Sequence, residues 1–267
     1  CDDRGERAII YQMLNRPGEY FIGAKHPVVD EAGAMVCFNA EMHRMMKPLL
    51  EAQEYIESFE IYDGQQVDYD LDVIRQDVFC GAPHFPLQKW TWMAYPEMTC
   101  DLSLSWIKAP SISIDLGVIP KVTPEEIMEI YHQTGNLLYM PKSKNILLNF
   151  TERYRNYNLS YFFLKKYESS LRFIGTEGEH DIFCKQWGLS IPYVKVDSFL
   201  ELAYLIRECD FFMGNQSMCW HISQAMHVPR ILELYPHAQN CTNFGANGYE
   251  FYNTKAAQYH FEKLFNQ

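Results

Sequence analysis

The segment Gly214-Asn-Gln-Ser-Met-Cys-Trp-His221 joins the apolar run Asp210–Met213 to a helical stretch, Ser217–Met226. Glycine permits a tight turn there, and the first turn of the following helix presents backbone N–H groups and a partial positive charge. That is the chemistry of an anion site. Ser217 can cap the helix or donate to a phosphate, and Asn215 and Gln216 stand in the same turn. His221 lies one turn further on, where it faces either a cleft or the core.

Three other strand ends carry groups of the same kind. After the strand NILLNF, Asn149–Asn156 brings out Thr151, Arg153 and Arg155 together. Two guanidinium forks can grip a phosphate, or they can pair with nearby acids as an ordinary loop does. After LRFI, Gly175–His180 contains Glu177 and Glu179. Either can accept hydrogen bonds from a ribose diol, or can favour the first turn of a helix through its dipole. Glu233 ends RILE, where it can meet a sugar or base or pair with one of the arginines. Asp68-Tyr-Asp-Leu-Asp72 resembles an acidic metal pair but reads as a solvated loop, and no metal ligand set is expected. His180 with Cys184, and Cys219 with His221, are isolated pairs and not a zinc site.

The elements that must hold these groups alternate after Asn145. Strands are expected at Asn145–Phe150, Leu171–Ile174, Tyr193–Val196, Asp210–Met213 and Arg230–Leu234. Helices are expected at Leu159–Tyr167, Glu179–Trp187, Ser198–Cys209 and Ser217–Met226, the third opened by the capping box Ser198…Glu201. Such alternation implies α/β architecture, a parallel sheet with helices on both faces, whose ligands lie beyond the strands' carboxyl ends. A helix at Thr254–Phe265 closes the chain. The first half is less regular. Strands are expected at Glu19–Gly23, Ala34–Asn39 and Ser58–Tyr62, and a turn at Asp63-Gly64. A helix over Glu41–Gln53 puts Met42, Met45, Met46, Leu49 and Leu50 on one side, and Phe85–Tyr95 is ambiguous. Thr123-Pro124-Glu125-Glu126 starts another helix, and the stretch Lys108–Lys144 is the expected hinge. We expect two domains, 1–120 and 121–267.

Composition sets outer limits. Hydrophobic residues are 48%, charged residues 21% and aromatics 15% of 267 residues, a globular balance. A net charge of −11 argues against a nucleic-acid partner, which needs a basic face. The eight cysteines form no CxxC pair and read as reduced thiols of a cytoplasmic protein. No signal peptide and no apolar run long enough to span a bilayer is visible, while peripheral membrane contact is compatible with the sequence.

Gly214-Asn-Gln-Ser-Met-Cys-Trp-His-Ile-Ser-Gln-Ala225 resembles the Gly-Asn-Asp-Ser-Gly-x-x-His-Leu-Ala-x-Ala signature of the ADP-heptose heptosyltransferase-like glycosyltransferases. The flanking order is similar as well: a Thr/Arg loop, a strand ending Gly-x-x-x-Glu, and Val-Pro-Arg-Ile-Leu-Glu. The resemblance implies the GT-B arrangement of two facing Rossmann-like domains. It implies inverting transfer of a sugar from a nucleotide diphosphate donor to a hydroxyl acceptor of glycan or lipopolysaccharide type, with no cofactor and no obligatory metal. It places Gln216, Ser217 and the helix amides at the diphosphate, Thr151 and Arg155 at phosphate, and Glu177 or Glu179 near the ribose. Gln216 stands where the signature has Asp, and Met218 where it has Gly. The family's first strand is followed by Gly-Asp, whose Asp is the general base; the nearest match here is Gly5-Glu6, making Glu6 the candidate base. Two further functions fit the same cleft: a descendant that binds nucleotide or glycan without transfer, and a nucleotide-sugar epimerase or hydrolase.

Overall fold

The computed structural model describes residues 7–17, 28–75, 93–95, 107, 144–237 and 241–267. The features expected at Glu6, Glu19–Gly23, most of Phe85–Tyr95, the Thr123 helix start, the hinge up to Ser143, and Cys1, Cys80 and Cys100 lie outside these residues.

The chain after Lys144 builds one parallel sheet from β3 (Ile146–Asn149), β4 (Leu171–Phe173), β5 (Phe211–Gly214), β6 (Arg230–Glu233) and β7 (Gly248–Phe251). Their spatial order is β4-β3-β5-β6-β7, every pair parallel. A parallel bridge joins Phe173 to Tyr193 on the far side of β4. The chain therefore winds outward from β3 through β4 to Tyr193, then returns to the other side of β3 and winds outward again from β5. The reversal falls between β3 and β5, and the crevice of an open α/β sheet forms at that point.

Apolar side chains alternate along these strands and bury both faces. Ile146, Leu148, Phe173, Phe211, Met213 and Ile231 meet Phe183 and Trp187 of α2 (Glu177–Trp187) and Phe261 and Leu264 of α5 (Thr254–Phe265). Leu147, Phe212 and Leu232 meet Leu202, Leu205 and Ile206 of α3 (Phe199–Glu208) and Trp220 and Ile222 of α4 (Met218–Ala225). Local chemistry sets the helix ends. Thr176 Oγ1 accepts from Glu179 N at 3.2 Å while the Glu179 carboxylate accepts from Thr176 N at 3.0 Å, a reciprocal capping box. Gly188 ends α2 in the left-handed region at φ 62°. Ser198 caps α3 by accepting from Glu201 N, but the Glu201 carboxylate reaches past the cap to Asp197 N.

In the first half, β1 (Ala8–Gln12) and β2 (Ile56–Ile61) pair in parallel around α1 (Ala40–Glu51). Leu49 of α1 is buried in the same cluster as α3, while Met42, Met45 and Met46 are only half-buried, and His43 stacks on Phe59 at 4.6 Å. Three expected elements differ. Ala34–Asn39 makes only isolated antiparallel bridges, Met35 to Val29 and Val36 to Pro17. Leu159–Tyr167 is not an α-helix; Phe162–Ser170 winds as a 3-10 helix, the tighter form suited to a short connector. Tyr193–Val196 contributes a single bridge and no strand.

Gly214 is required where β5 meets the switch point. A side chain there would run into the Asn149 carbonyl and the Phe212 ring. Gly214→Ala is expected to destabilise the fold by about 1–3 kcal/mol, the usual cost of overpacking, measured by urea unfolding. An unchanged midpoint would show that β3 and β5 separate without strain.

Candidate functional site

The carboxyl ends of β3 and β5 meet at the switch point, and one side chain ties them. Asn215 is fully buried. Its Oδ1 accepts from Thr151 N at 2.9 Å. Its Nδ2 donates to the carbonyls of Thr151 at 3.0 Å, Arg153 at 2.7 Å and Tyr154 at 3.3 Å. Thr151 Oγ1 turns back to donate to the Arg153 carbonyl at 3.0 Å. The loop 151–154 is thus folded around an amide that belongs to the strand next door. Two residues after Asn215, Ser217 caps α4 by accepting from Trp220 N at 3.3 Å. Met218, the first helical residue, is 38% exposed.

The expected site residues divide into two groups. Arg153, Thr151, Ser217 and Glu179 gather near this edge. The Arg153 guanidinium lies 5.8 Å from the Tyr154 ring centre, and its buried Nε has no hydrogen-bond partner. Its charge reaches Glu179 and favours that carboxylate's ionised form. Glu177 is exposed on the first turn of α2. Gly214, Asn215 and Gln216 are buried and form the turn itself. Burial pushes the Cys241 thiol up to about 11, and the Gln216 side chain opposes that shift.

Arg155 and Glu233 instead turn inward to each other. Glu233 is fully buried, and Arg155 Nε stands 3.5 Å from its Oε1. Tyr161 Oη donates to Glu233 Oε2 at 2.5 Å and Asn156 N donates to Oε1 at 2.5 Å. The guanidinium lies over Phe150 at 5.0 Å and beside Phe183 at 5.6 Å. Burial pushes the Glu233 carboxyl up, while Arg155 and Tyr161 hold it down. His221 is kept neutral: burial pushes it down to about 4, and its Nε2 faces the Cys241 thiol at 3.8 Å. Asp72, of the acidic stretch Asp68–Asp72, pairs with Arg16. Among the described residues no three His, Cys, Asp or Glu side chains converge on a metal position, and no helix is long and apolar enough to cross a membrane.

The roles of Asn156 and Tyr161 were not foreseen. Both follow the Thr/Arg loop directly, and a buried acid at the end of β6 needs donors from some neighbouring segment. Asn149 was also missed: its Nδ2 donates to the Ile174 carbonyl at 2.8 Å, and its buried Oδ1 has no partner. The edge at the switch point therefore offers a guanidinium, a hydroxyl-bearing turn and the N-terminus of α4, an arrangement that can hold an anion.

No protein-family model matches the chain, and no curated protein does. Solved structures similar to it include the following two. One is the E. coli ADP-heptose LPS heptosyltransferase II, at 12% identity and a TM-score of 0.37, covering 70% of this chain and 64% of that one. The other is the glycosyl transferase family 9 protein from Veillonella parvula DSM 2008, at 12% identity and a TM-score of 0.38, covering 79% of this chain and 56% of that one. The chain thus spans less than two thirds of the length of either.

Asn215→Ala deletes the hydrogen bonds that this buried amide makes to the 151–154 loop and leaves loop carbonyls without a donor. A loss of about 2–4 kcal/mol is expected, read by chemical denaturation. A loss under half a kcal/mol would mean that the 151–154 loop holds itself.

Burial raises the Glu179 carboxyl above its ordinary 4.5, against the Thr176 hydrogen bonds and Arg153. The folded state then keeps a proton that the unfolded state releases, so this group's contribution to stability is largest below 4.5 and falls as pH rises through the raised value. Glu179→Gln keeps an acceptor for the capping box but does not titrate. The stability of the wild type relative to this variant should decline with rising pH across that window. A difference independent of pH would refute the raised value.

Proposed function

We propose that the chain is a glycosyltransferase that binds a nucleotide diphosphate-sugar at the carboxyl edge of this sheet. It passes the sugar, with inversion and without an obligatory metal, to a hydroxyl acceptor of glycan or lipopolysaccharide type. The observation that carries the reading is the loop 151–154, clamped by Asn215 beside the capped N-terminus of α4 at the switch point. From that position Arg153, Ser217 and the first amides of α4 would take a diphosphate as ligand and as leaving group. Glu179, or Glu177 on the same helix end, would meet the ribose. Gln216 and His221 would shape the turn from below. The sequence signature around Gly214–Ala225 supports the same assignment. In the GT-B arrangement, the β1-α1-β2 half would bring the acceptor.

A second reading, nucleotide or glycan binding without transfer, has its own support. Gln216 stands where the signature has Asp, and Met218 where it has Gly. Arg155 and Glu233, expected at phosphate and sugar, neutralise each other in the core.

Thermal unfolding with a panel of nucleoside diphosphates and their sugars, with magnesium or with EDTA, tests both. A ligand at a hundred times its Kd adds about 2.7 kcal/mol to the folded state. A base-selective rise in Tm that is equal with and without magnesium is the expected result. Arg153→Ala should remove it. No rise with any nucleotide would sink the proposal, and a rise without sugar release to any hydroxyl acceptor would leave the second reading.

A further inference from the structure

The carboxyl edge carries a group of rings that phosphate binding does not use. Tyr154 and Tyr235 meet edge to face, their centres 5.7 Å apart and their planes at 73°. His237 meets Tyr235 in the same manner, at 5.4 Å and 69°. Tyr157 is 71% exposed, and its hydroxyl donates to the Glu152 carbonyl at 3.4 Å. None of these rings belongs to the two apolar clusters that cover the sheet. Tyr154 sits in the left-handed backbone region at φ 53°, an uncommon conformation for a bulky residue, and the Asn215 amide bonded to its carbonyl helps hold it there. The turn that leaves β3 would run more easily with glycine at this place. The strain instead sets a tyrosine ring against Tyr235 at the edge.

We propose that this aromatic corner is a carbohydrate subsite that seats a pyranose ring beside the phosphate position. It rests on the nucleotide-sugar reading above for its neighbour, and on the rings for itself. Two walls near 70° to one another are a poor slot for a flat nucleobase, which stacks on ring faces. A puckered pyranose presents C–H groups to two directions at once, and each can meet the electron-rich face of a ring. The corner is chained to the anion site: the Arg153 guanidinium lies 5.8 Å from the Tyr154 ring centre, and the Arg153 and Tyr154 carbonyls both accept from Asn215 in the turn before α4. The ring that fills it is either the donor's sugar or a sugar of the acceptor.

The test is titration calorimetry of the full chain with matched pairs, a nucleoside diphosphate and the same diphosphate bearing a hexose, and separately with a free oligosaccharide. Three proteins are compared: wild type, Tyr235→Ala and Tyr235→Phe. If the donor sugar fills the corner, Tyr235→Ala loses about fivefold in affinity for the nucleotide sugar while the bare diphosphate binds as before. If the acceptor fills it, the same loss is confined to the oligosaccharide. Tyr235→Phe keeps the ring and should keep either affinity. Equal loss for bare and sugar-bearing nucleotide would overturn the subsite in favour of a base platform or a structural ring. Unchanged sugar affinities in Tyr235→Ala would overturn it while the nucleotide reading stands. Binding of oligosaccharide that depends on Tyr235, with no nucleotide bound, would keep the subsite and remove the nucleotide reading. A wild type that binds none of these probes removes both.

Discussion

A carboxylate with no access to water sits at the end of β6, and the geometry around the crevice follows from the need to satisfy it. Leaving Glu233 unpaired in that position would cost several kcal/mol. The chain answers with one ion pair and two hydrogen-bond donors drawn from one segment: the Arg155 guanidinium, and the Asn156 amide and the Tyr161 hydroxyl. That segment is the exit from β3, two strands away in the sheet. Holding it against β6 fixes the course of the chain from Phe150 to the 3-10 helix, and packs Arg155 on aromatic faces that would otherwise lack a cover. The loop 151–154 is then strung between two anchors, Glu233 below and Asn215 beside it. A short loop pinned at both ends has few conformations left, so Arg153 and Tyr154 are presented in nearly fixed positions before any ligand arrives.

The same constraint explains what could be read in the sequence. Period and capping signals are local, and they place the α/β alternation well: Thr254–Phe265 has the bounds its cap and apolar spacing imply, with Asn253 accepting from Ala256 N. β7 was invisible because Gly-Tyr-Glu-Phe has no run of apolar residues, and its strand character comes from lying beside β6. Tyr193–Val196 has strand-like residues but lies at the sheet's outer edge, where one bridge is all the pairing it obtains. Residue type showed that Thr151, Arg153, Arg155, Glu233 and Asn215 stand near strand ends. It left open whether Arg155 and Glu233 meet a ligand or each other, because a sequence gives no distance between two charges 78 residues apart in the chain. The first half was harder still. Its one described βαβ unit relies on α1 packing beside α3, a contact between distant segments that no local pattern announces.

Charge balance at the edge decides what kind of anion can stay there. Of the two arginines in the loop, one is spent on Glu233. His221 is neutral at pH 7, since burial holds it near 4. Gln216 brings no charge in place of the signature's Asp, which spares an anion one repulsion. What remains among the described residues is the Arg153 guanidinium and the N-terminus of α4, worth about half a unit charge, with Glu179 opposing them to the extent that it ionises. That sum falls short of the two charges of a sugar-bearing diphosphate. Hydrogen bonding from the α4 amides and Ser217 can stabilise part of the difference without a further charge. On the metal-independent reading, the rest would have to come from a cation carried by the first half of the chain. A diphosphate held this way would bind more weakly as salt rises, because an exposed edge with one fixed cation is readily screened. A single phosphate would need no such help. On the proposed reading, the relative strength with which the edge would hold mono- and diphosphates depends on whether the two halves of the chain share the charge.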